Sequence, residues 1–108
     1  VDHRAATHAL FTGDATRFCI NILSQDQKQV SELFSAPGQD GWENVAYEDD
    51  SLGMPRLTGS VAAFTCERHA LHEGGDHSII VGHVRELVMG ETGAPLLYYG
   101  GRYRALGD

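Results

Sequence analysis

The stretch that decides the fold runs from residue 59 to residue 89 and reads GSVAAFTCERHALHEGGDHSIIVGHVRELVM. Its first part, Gly59 to Leu71, is rich in Val, Ala, Phe and Thr, and its last part, His77 to Met89, is rich in Ile and Val. The segment between them, Glu73-Gly74-Gly75-Asp76, consists of residue types that form tight turns. Two long β-rich segments joined by such a turn predict a long antiparallel hairpin.

A further strand and a helix are predicted upstream of this hairpin. The segment Phe18 to Leu23 is apolar with β-branched residues at alternate positions, which predicts a strand. Ser24 is followed three residues later by Gln27, a pattern typical of a helix start. Apolar residues then follow at helical spacing: Val30, Leu33 and Phe34. We expect a short amphipathic helix that has Ser24 as its N-cap and ends before Pro37, preceded by a short helix or turn within residues 7–16.

The rest of the chain adds few regular elements. Residues 39–55 are rich in Gly, Asp, Glu and Asn, which is typical of a long surface loop. After a turn at residues 90–95, residues 96–99 are expected to form a third strand against the hairpin, and Gly100-Gly101 leads into residues 102–104. These patterns give about four strands, few for closing a barrel. Long strands joined by tight turns nevertheless favour an antiparallel barrel over a sandwich, in a mainly β fold with one or two short helices.

Length and charge limit the classes of function. A chain of 108 residues has room for one modest core, so we expect residues 1–108 to form a single domain. The formal net charge of -7 disfavours broad binding of nucleic acid. No apolar run reaches the roughly 20 residues that a membrane helix needs, so no membrane partner is expected.

The amino terminus and the cysteines indicate the cellular compartment in which the protein is expected. Residues 1–4 lack the basic and apolar segments of a secretory signal, so a cytoplasmic location is expected. Cys19 and Cys66 both lie in apolar runs. Two cysteines do not make a disulfide framework, and both are expected to be buried free thiols.

Histidines lie in and beside the predicted hairpin: His69, His72, His77 and His83. On a strand, His69 and His72 point to opposite faces, while His77 and His83 share a face but lie about 20 Å apart. We therefore expect no zinc site. A Ser-His-Asp hydrolase is also disfavoured, because Ser78 directly follows His77 and no Gly-x-Ser-x-Gly motif occurs. His77, at the first position of its strand, lies where a ligand can reach it, although an exposed turn residue is the commoner explanation.

Aromatic and basic residues are compatible with a planar anionic ligand without requiring one. Phe34 and Trp42 lie at the start of the acidic loop, where a large aromatic side chain either fastens the loop to the body or packs on a planar ligand. The arginines form no run, and scattered arginines permit a phosphate site without indicating one. The glycine pairs at 74–75 and 100–101 do not lead into predicted helices, so neither is a dinucleotide fingerprint.

Blocks of sequence spread along nearly the whole chain carry a family resemblance. They are Phe18-Cys19-Ile20-Asn21-Ile22-Leu23-Ser24, the helix end Leu33-Phe34, Gly53-x-Pro55-x-Leu57-x-Gly59, Gly75-Asp76-His77-Ser78-Ile79-Ile80-Val81-Gly82-x-Val84, and Pro95-Leu96-Leu97-Tyr98 with Tyr103. In order and spacing these blocks resemble the short-chain flavin reductases, which supply reduced flavin to two-component monooxygenases. The Gly-Asp-His block is the most specific of them.

This resemblance implies an FMN-binding split β-barrel that forms a homodimer, with the flavin in a groove to which both subunits contribute. The implied cofactor-binding residues are Arg4, Ala5, Thr7, Asn21, Phe34, Trp42, His77, Gly101, Arg102 and Tyr103. The first three match the segment that meets the flavin phosphate and ribityl chain, and the two aromatic residues fall where loop residues approach the flavin. His77 matches the family histidine near the nicotinamide, and the last three match the carboxyl-terminal lining of the site. For Asn21, a purely structural role is the alternative to cofactor binding.

The implied function is the reduction of FMN or FAD by NADH or NADPH, with reduced flavin passed to a partner oxygenase. Hydride transfer between two stacked rings needs no acid, base or nucleophile from the protein, so no catalytic residue is expected. Compared with the family, the chain is expected to lack the first strands and the Thr/Ser/Asn-rich stretch that holds the flavin ring. A ferric or cobalamin reductase of the same fold, and a non-catalytic flavin- or haem-binding module, remain alternatives.

Overall fold

The computed structural model describes residues 1–36, 41–90 and 93–107, and β-strands dominate it. Two helices are present, α1 (His8–Thr12) and α2 (Lys28–Ser35), together with a 3-10 turn at Gly41–Asn44. The strands are β1 (Arg17–Ile22), β2 (Tyr47–Asp49), β3 (Pro55–Leu57), β4 (Ala62–Gly74), β5 (His77–Met89), β6 (Leu97–Tyr99) and β7 (Arg102–Arg104). A mainly β fold with short helices is therefore confirmed.

The predicted hairpin is the centre of the fold. β4 and β5 pair antiparallel from Ala62↔Met89 to Gly74↔His77, with irregular pairing at two points along their length. The turn consists of Gly75 and Asp76, and Gly75 has a φ of 71°, a conformation that glycine adopts readily. β1 pairs antiparallel with the other side of β4, so the sheet order is β1-β4-β5 and β5 lies at its edge.

One face of this sheet is apolar across all three strands, and we call it the apolar sheet face. The pairing places on it Phe18, Ile20 and Ile22 of β1, Ala62, Phe64 and Cys66 of β4, and Val84, Leu87 and Met89 of β5. The β5 residues are 50%, 59% and 67% exposed, in that order. Among the described residues, the buried apolar side chains are only Leu57, Ala63 and Cys66. The core that these residues form is therefore small.

The opposite face of the sheet is covered by the β2–β3 hairpin. The Asp50 carboxylate, in the turn of that hairpin, accepts hydrogen bonds from the buried Thr65 hydroxyl on β4 and from the N–H groups of Leu52 and Met54. Burial raises the pKa of the Asp50 carboxyl, but these hydrogen bonds outweigh burial and hold the pKa below its ordinary value of 3.8. The Asp50 carboxylate thus fastens the hairpin to β4.

Helix α2 begins later than the sequence pattern predicts. The predicted N-cap at Ser24 is wrong, since the helix begins at Lys28 and Gln27 is its N-cap residue. The Ser24 N–H does donate to Gln27 Oε1 at 2.9 Å, as in a helix-start motif. Ser24 also pairs with Pro95 in a β-bridge, which keeps its backbone extended and delays the helix.

The regions predicted to be irregular contain short strands. The prediction of a loop over residues 39–55 is wrong where the structure describes it, because the 3-10 turn and β2 lie there and β3 begins at Pro55. Residues 39–40 of that prediction, and 91–92 of the predicted turn at 90–95, lie outside the described residues. The predicted third strand does not join the main hairpin, since β6 pairs with β7 through a turn at Gly100-Gly101. The described residues thus form seven strands rather than about four.

None of the helices formed by the described residues is long and apolar enough to cross a bilayer.

Candidate functional site

His77 lies at the exposed end of the main hairpin, directly after its turn. Its Nδ1 is 2.7 Å from Oδ1 of Asp76, and its side chain is 51% exposed. Asp2 is its partner in an antiparallel bridge, and side-chain atoms of Asp2, Asp76 and His77 all lie within 4.8 Å of one another. Two carboxylates therefore flank one imidazole.

The amino-terminal segment forms the second wall of this region. Val1 and Ser78 exchange two main-chain hydrogen bonds of 2.7 Å, and the His3 N–H donates to the Asp76 carbonyl at 2.8 Å. This pairing places Asp2 beside His77, and Arg4 contacts Asp2. The Arg4 N–H donates to Asp2 Oδ1 at 2.7 Å, and its guanidinium lies 3.3 Å from Oδ2.

The charge of Asp2 is compensated by these contacts. The side-chain and main-chain hydrogen bonds from Arg4 lower the pKa of the Asp2 carboxyl below its ordinary value of 3.8, and the nearby His77 and His3 add to this effect. The Arg4 side chain remains 86% exposed, so its guanidinium is open to an anionic ligand on its other side.

Helix α1 is anchored to the same end of β5. His8 Nε2 lies 2.9 Å from Ser78 Oγ, and the His3 ring meets the His8 ring edge-on with centroids 5.1 Å apart. Ser78 is only 6% exposed, so this serine–histidine contact holds the helix rather than presenting a nucleophile. Thr7 is exposed at the start of α1, where its carbonyl accepts the Leu10 and Phe11 N–H groups.

The two aromatic residues singled out in the sequence lie together. Phe34 of α2 meets Trp42 edge-on with ring centroids 4.9 Å apart, and Trp42 meets Tyr47 in the same way at 5.1 Å. Gly41 is buried against the Phe34 ring, where a Cβ would lie 2.7 Å from ring carbons. The rings thus fasten the 3-10 turn to α2, yet each remains more than a third exposed.

The carboxyl-terminal hairpin packs against α2 as well. Tyr103 Oη lies 2.8 Å from Ser31 Oγ, and Lys28 Nζ lies 5.7 Å from the centre of the Tyr103 ring. Gly100 and Gly101 have φ angles of 63° and 80°, with no atom within 4 Å of either Cβ position. α2 therefore contacts both the aromatic group and the carboxyl-terminal segment. Arg102, the remaining predicted site residue, is exposed on β7.

Asn21 has a clear structural partner. Its Oδ1 accepts the Leu57 N–H at 2.9 Å, and its Nδ2 lies 3.4 Å from the Pro55 carbonyl oxygen. Both contacts join β1 to β3, in agreement with the structural alternative.

None of the predicted site residues lines either of two cavities that the described residues form. One, of about 380 Å³, lies between the β2–β3 hairpin and the ends of β4 and β5, and its lining includes Arg56, Ser60 and Met89. The other, of about 540 Å³, is lined by Arg17, Ser51, Leu52, Glu67, Arg85 and Glu86. The predicted site residues therefore form open surface groups around His77, Trp42 and Tyr103.

Asp2 and Asp76 lie beside His77 but are not among the predicted site residues. Asp76 directly precedes His77 in the sequence, and a carboxylate at a turn position beside a histidine is a pattern that could have identified it. Asp2 gave no such signal, because pairing between the amino-terminal segment and β5 is a tertiary contact.

Comparison with known proteins agrees with the resemblance. A model of the flavin reductase like domain matches residues 1–107. A flavin reductase of Pseudomonas putida is 37% identical over 89 residues, which are 82% of this chain and 52% of the relative. The reductase component of 4-hydroxyphenylacetate 3-monooxygenase from Thermus thermophilus is 38% identical over 106 residues, which are 98% of this chain and 65% of the relative. The chain spans about half the length of the first curated relatives it matches.

The fold is also similar to that of solved reductases. The NADH:FAD oxidoreductase SgcE6 of Streptomyces globisporus superposes with a TM-score of 0.89 at 30% identity, covering 100% of this chain and 66% of that one. SgcE6 in complex with NAD and FAD fragments gives the same TM-score over 96% of this chain and 63% of that one. Because the family model matches almost the whole chain, the protein belongs to the flavin reductase like domain family.

Proposed function

We propose that the protein reduces FMN or FAD with NADH or NADPH and supplies reduced flavin to a partner oxygenase. The observation that carries this proposal is the family match over residues 1–107. The relatives support it, since one is named a flavin reductase and another the reductase component of a monooxygenase. Family membership favours this chemistry over a hydrolase, which would need an exposed nucleophile.

The described residues offer groups that fit parts of a flavin and a nicotinamide. The exposed Arg4 guanidinium suits a phosphate, which it can bind through paired N–H donors. The partly exposed Phe34 and Trp42 rings suit an aromatic ring system. The open backbone at Gly100 and Gly101 allows close approach of a ligand. Bound flavin would supply the acceptor for the hydride of the nicotinamide.

Each group then has a task that its chemistry supports. Arg4, with the neighbouring Ala5 and Thr7, binds the phosphate and ribityl end. The aromatic residues and the segment from Gly101 to Tyr103 hold the rings and exclude water, and His77 contacts the nicotinamide. Because these tasks are binding and orientation, catalysis depends on ring placement and on no acid or base of the chain.

The proposal includes a split barrel in a single domain, and a homodimer in the cytoplasm, where NADH is available as reductant. Superposition on SgcE6 over the whole chain supports the barrel. The exposed Val84, Leu87 and Met89 support association with a second copy, since large exposed apolar patches are typical of interaction surfaces. A groove shared by two subunits is consistent with site residues that lie on open surface.

The test is NADH or NADPH oxidation by the purified intact protein, followed by absorbance with FMN, with FAD and without flavin. We expect oxidation that depends on added flavin and stops when the flavin is removed. A bound chromophore without turnover would contradict the proposal in favour of a non-catalytic flavin- or haem-binding module. Reduction of ferric chelates or cobalamin without flavin would favour the other reductase activity.

A further inference from the structure

We infer that Asp76 is a positioning residue, whose carboxylate fixes the tautomer and ring orientation of His77 so that Nε2 faces the nicotinamide as a hydrogen-bond acceptor. This inference rests on the proposed function, because it assigns a task to a neighbour of the proposed nicotinamide contact. The observation that carries it is the 2.7 Å contact between Asp76 Oδ1 and His77 Nδ1.

The turn geometry makes this contact possible between adjacent residues. On a regular strand, neighbouring side chains point to opposite faces and do not meet. Asp76 belongs to the two-residue turn, directly after Gly75 with its positive φ, and β5 begins only at His77. The bridge from Asp2 fixes the His77 backbone from the other side. The carboxylate therefore lies beside the imidazole rather than across the strand from it.

The contact determines which nitrogen of His77 carries the proton. An ionised carboxylate only accepts hydrogen bonds, so Nδ1 must be the donor. When the imidazole is in its neutral form, Nδ1 carries its single hydrogen and Nε2 keeps a lone pair. Nε2 can then accept a hydrogen bond from the carboxamide N–H of a nicotinamide. A carboxylate behind a histidine fixes ring orientation by the same physics at metal sites.

Other charged groups near His77 already have partners. Asp2 is engaged by Arg4, and His3 Nε2 lies 3.7 Å from Glu73 Oε2. The α-amino group of Val1 donates to the Ser78 carbonyl. Within the described part of the chain, Asp76 makes no ion pair with lysine or arginine, so its carboxylate is directed to His77 alone.

The effect is expected on NADH binding and not on stability. Asp76 and His77 side chains are 77% and 51% exposed, and ion pairs so exposed to water contribute little to folding. A nicotinamide held against the Nε2 edge of the imidazole excludes water from the contact, and a hydrogen bond in a drier site is stronger. The structure thus predicts a residue that matters when NADH is bound.

The test is a double-mutant cycle in the intact protein at saturating flavin, with Asp76→Asn, His77→Ala and both together. Asparagine both donates and accepts, so it no longer selects the tautomer. We expect His77→Ala to raise KM for NADH about tenfold, the loss of roughly one hydrogen bond. Asp76→Asn should raise it severalfold, because only the fraction of His77 that still carries its proton on Nδ1 can accept from the nicotinamide. We also expect the flavin Kd and Tm to stay unchanged, and the double variant to be no worse than His77→Ala. Asp76→Glu should recover part of the loss, and Glu73→Gln, which removes a nearby charge without contacting His77, should behave as wild type.

A second measurement does not depend on activity. Imidazole nitrogen chemical shifts should assign the proton of His77 to Nδ1 in the wild type and to a mixture of both nitrogens in Asp76→Asn. An unchanged KM or an unchanged tautomer in Asp76→Asn would overturn the inference, as would losses that multiply in the double variant. If the wild type shows no flavin-dependent NADH oxidation, the proposed function fails, while the chemical shifts still decide whether Asp76 fixes the tautomer.

Discussion

At the scale of single residues, two polar side chains on neighbouring elements hold the β2–β3 hairpin to the main sheet. Asn21 of β1 bonds the backbone of β3, and Asp50 accepts three hydrogen bonds, one of them from Thr65. Thr65 is 2% exposed, so water cannot replace Asp50 as the acceptor of its hydroxyl. The placement of this hairpin thus depends on a few specific hydrogen bonds.

Replacing Asp50 by alanine should destabilise the fold. The Thr65 hydroxyl would be left buried without its acceptor, at a cost of about 2 kcal/mol in the free energy of unfolding. The neighbouring exposed Asp49 on β2 provides the matched control, and Asp49→Ala should change stability by no more than about 0.5 kcal/mol. Urea unfolding of the two variants beside the wild type measures the difference. Equal stabilities of the two variants would contradict this role of Asp50.

The same residue predicts a dependence of stability on pH. Hydrogen bonds lower the pKa of Asp50 in the folded protein despite the opposing effect of burial. The ionised form therefore stabilises the fold fully above its ordinary pKa of 3.8, and this contribution is lost as the pH falls through the lower folded pKa. The stability gap between wild type and Asp50→Ala should be constant near neutral pH and should shrink at pH values below 3.8. Unfolding curves over a pH series test this, and a gap that persists in acid would be evidence against it.

At the scale of elements, long strands were predictable from sequence and short ones were not. β1, β4 and β5 carry extended runs of β-forming residues, and the turn between β4 and β5 has a clear composition. β2, β3, β6 and β7 have three residues each, too few to show a period. Their pairing depends on tertiary contacts such as Asp50 with Thr65, which composition does not reveal. The prediction of where α2 starts was wrong for a similar reason, because the bridge from Ser24 to Pro95 outweighs a local helix signal.

Some residues of the candidate site could likewise be predicted from the sequence, and others could not. His77 at the end of the hairpin and Phe34 near Trp42 follow from local sequence, because a turn and a short connection place them. The pairing of residues 1–3 with the start of β5 connects segments that are far apart in the sequence. No local pattern therefore predicts that Asp2 lies beside His77. The contact of Tyr103 with Ser31 is likewise tertiary.

Gly90 is predicted to be essential at the end of β5. A Cβ at this position would overlap the carbonyl oxygen of Ser60, and the Gly90 N–H donates to the Val61 carbonyl at 2.7 Å. Because the clash is with backbone, Gly90→Ala should cost about 3 kcal/mol. Gly93→Ala is the control, since no atom lies within 4 Å of its Cβ position and its φ is not positive, so stability should be equal or slightly higher. Thermal unfolding of both variants measures this, and a Gly90→Ala Tm equal to the wild-type Tm would disprove the close approach.

At the scale of the whole molecule, the apolar surface exceeds what the described core covers. In the described part of the chain, the buried apolar residues are Leu57, Ala63 and Cys66. On the apolar sheet face, by contrast, the side chains of Val84, Leu87 and Met89 are each at least half exposed. Exposed apolar surface of this extent is typical of a surface that meets a partner. The stability of the molecule is therefore expected to depend on what contacts this face.

We predict that the 108-residue chain associates with itself through the apolar sheet face. Light scattering should show a mass above that of the monomer, and Tm should rise with protein concentration, because association that requires the folded state stabilises it. Leu87→Lys combined with Met89→Lys should shift the mass toward the monomer, since an unpaired ammonium group is costly to bury in an apolar contact. Leu87→Lys alone should also shift the mass, whereas Leu106→Lys adds the same single charge at a residue that is 63% exposed and lies outside the three strands of this face, so it should leave the mass unchanged. A wild-type chain that stays monomeric at every concentration would contradict the predicted association, and equal effects of Leu87→Lys and Leu106→Lys would show that net charge rather than this face controls it.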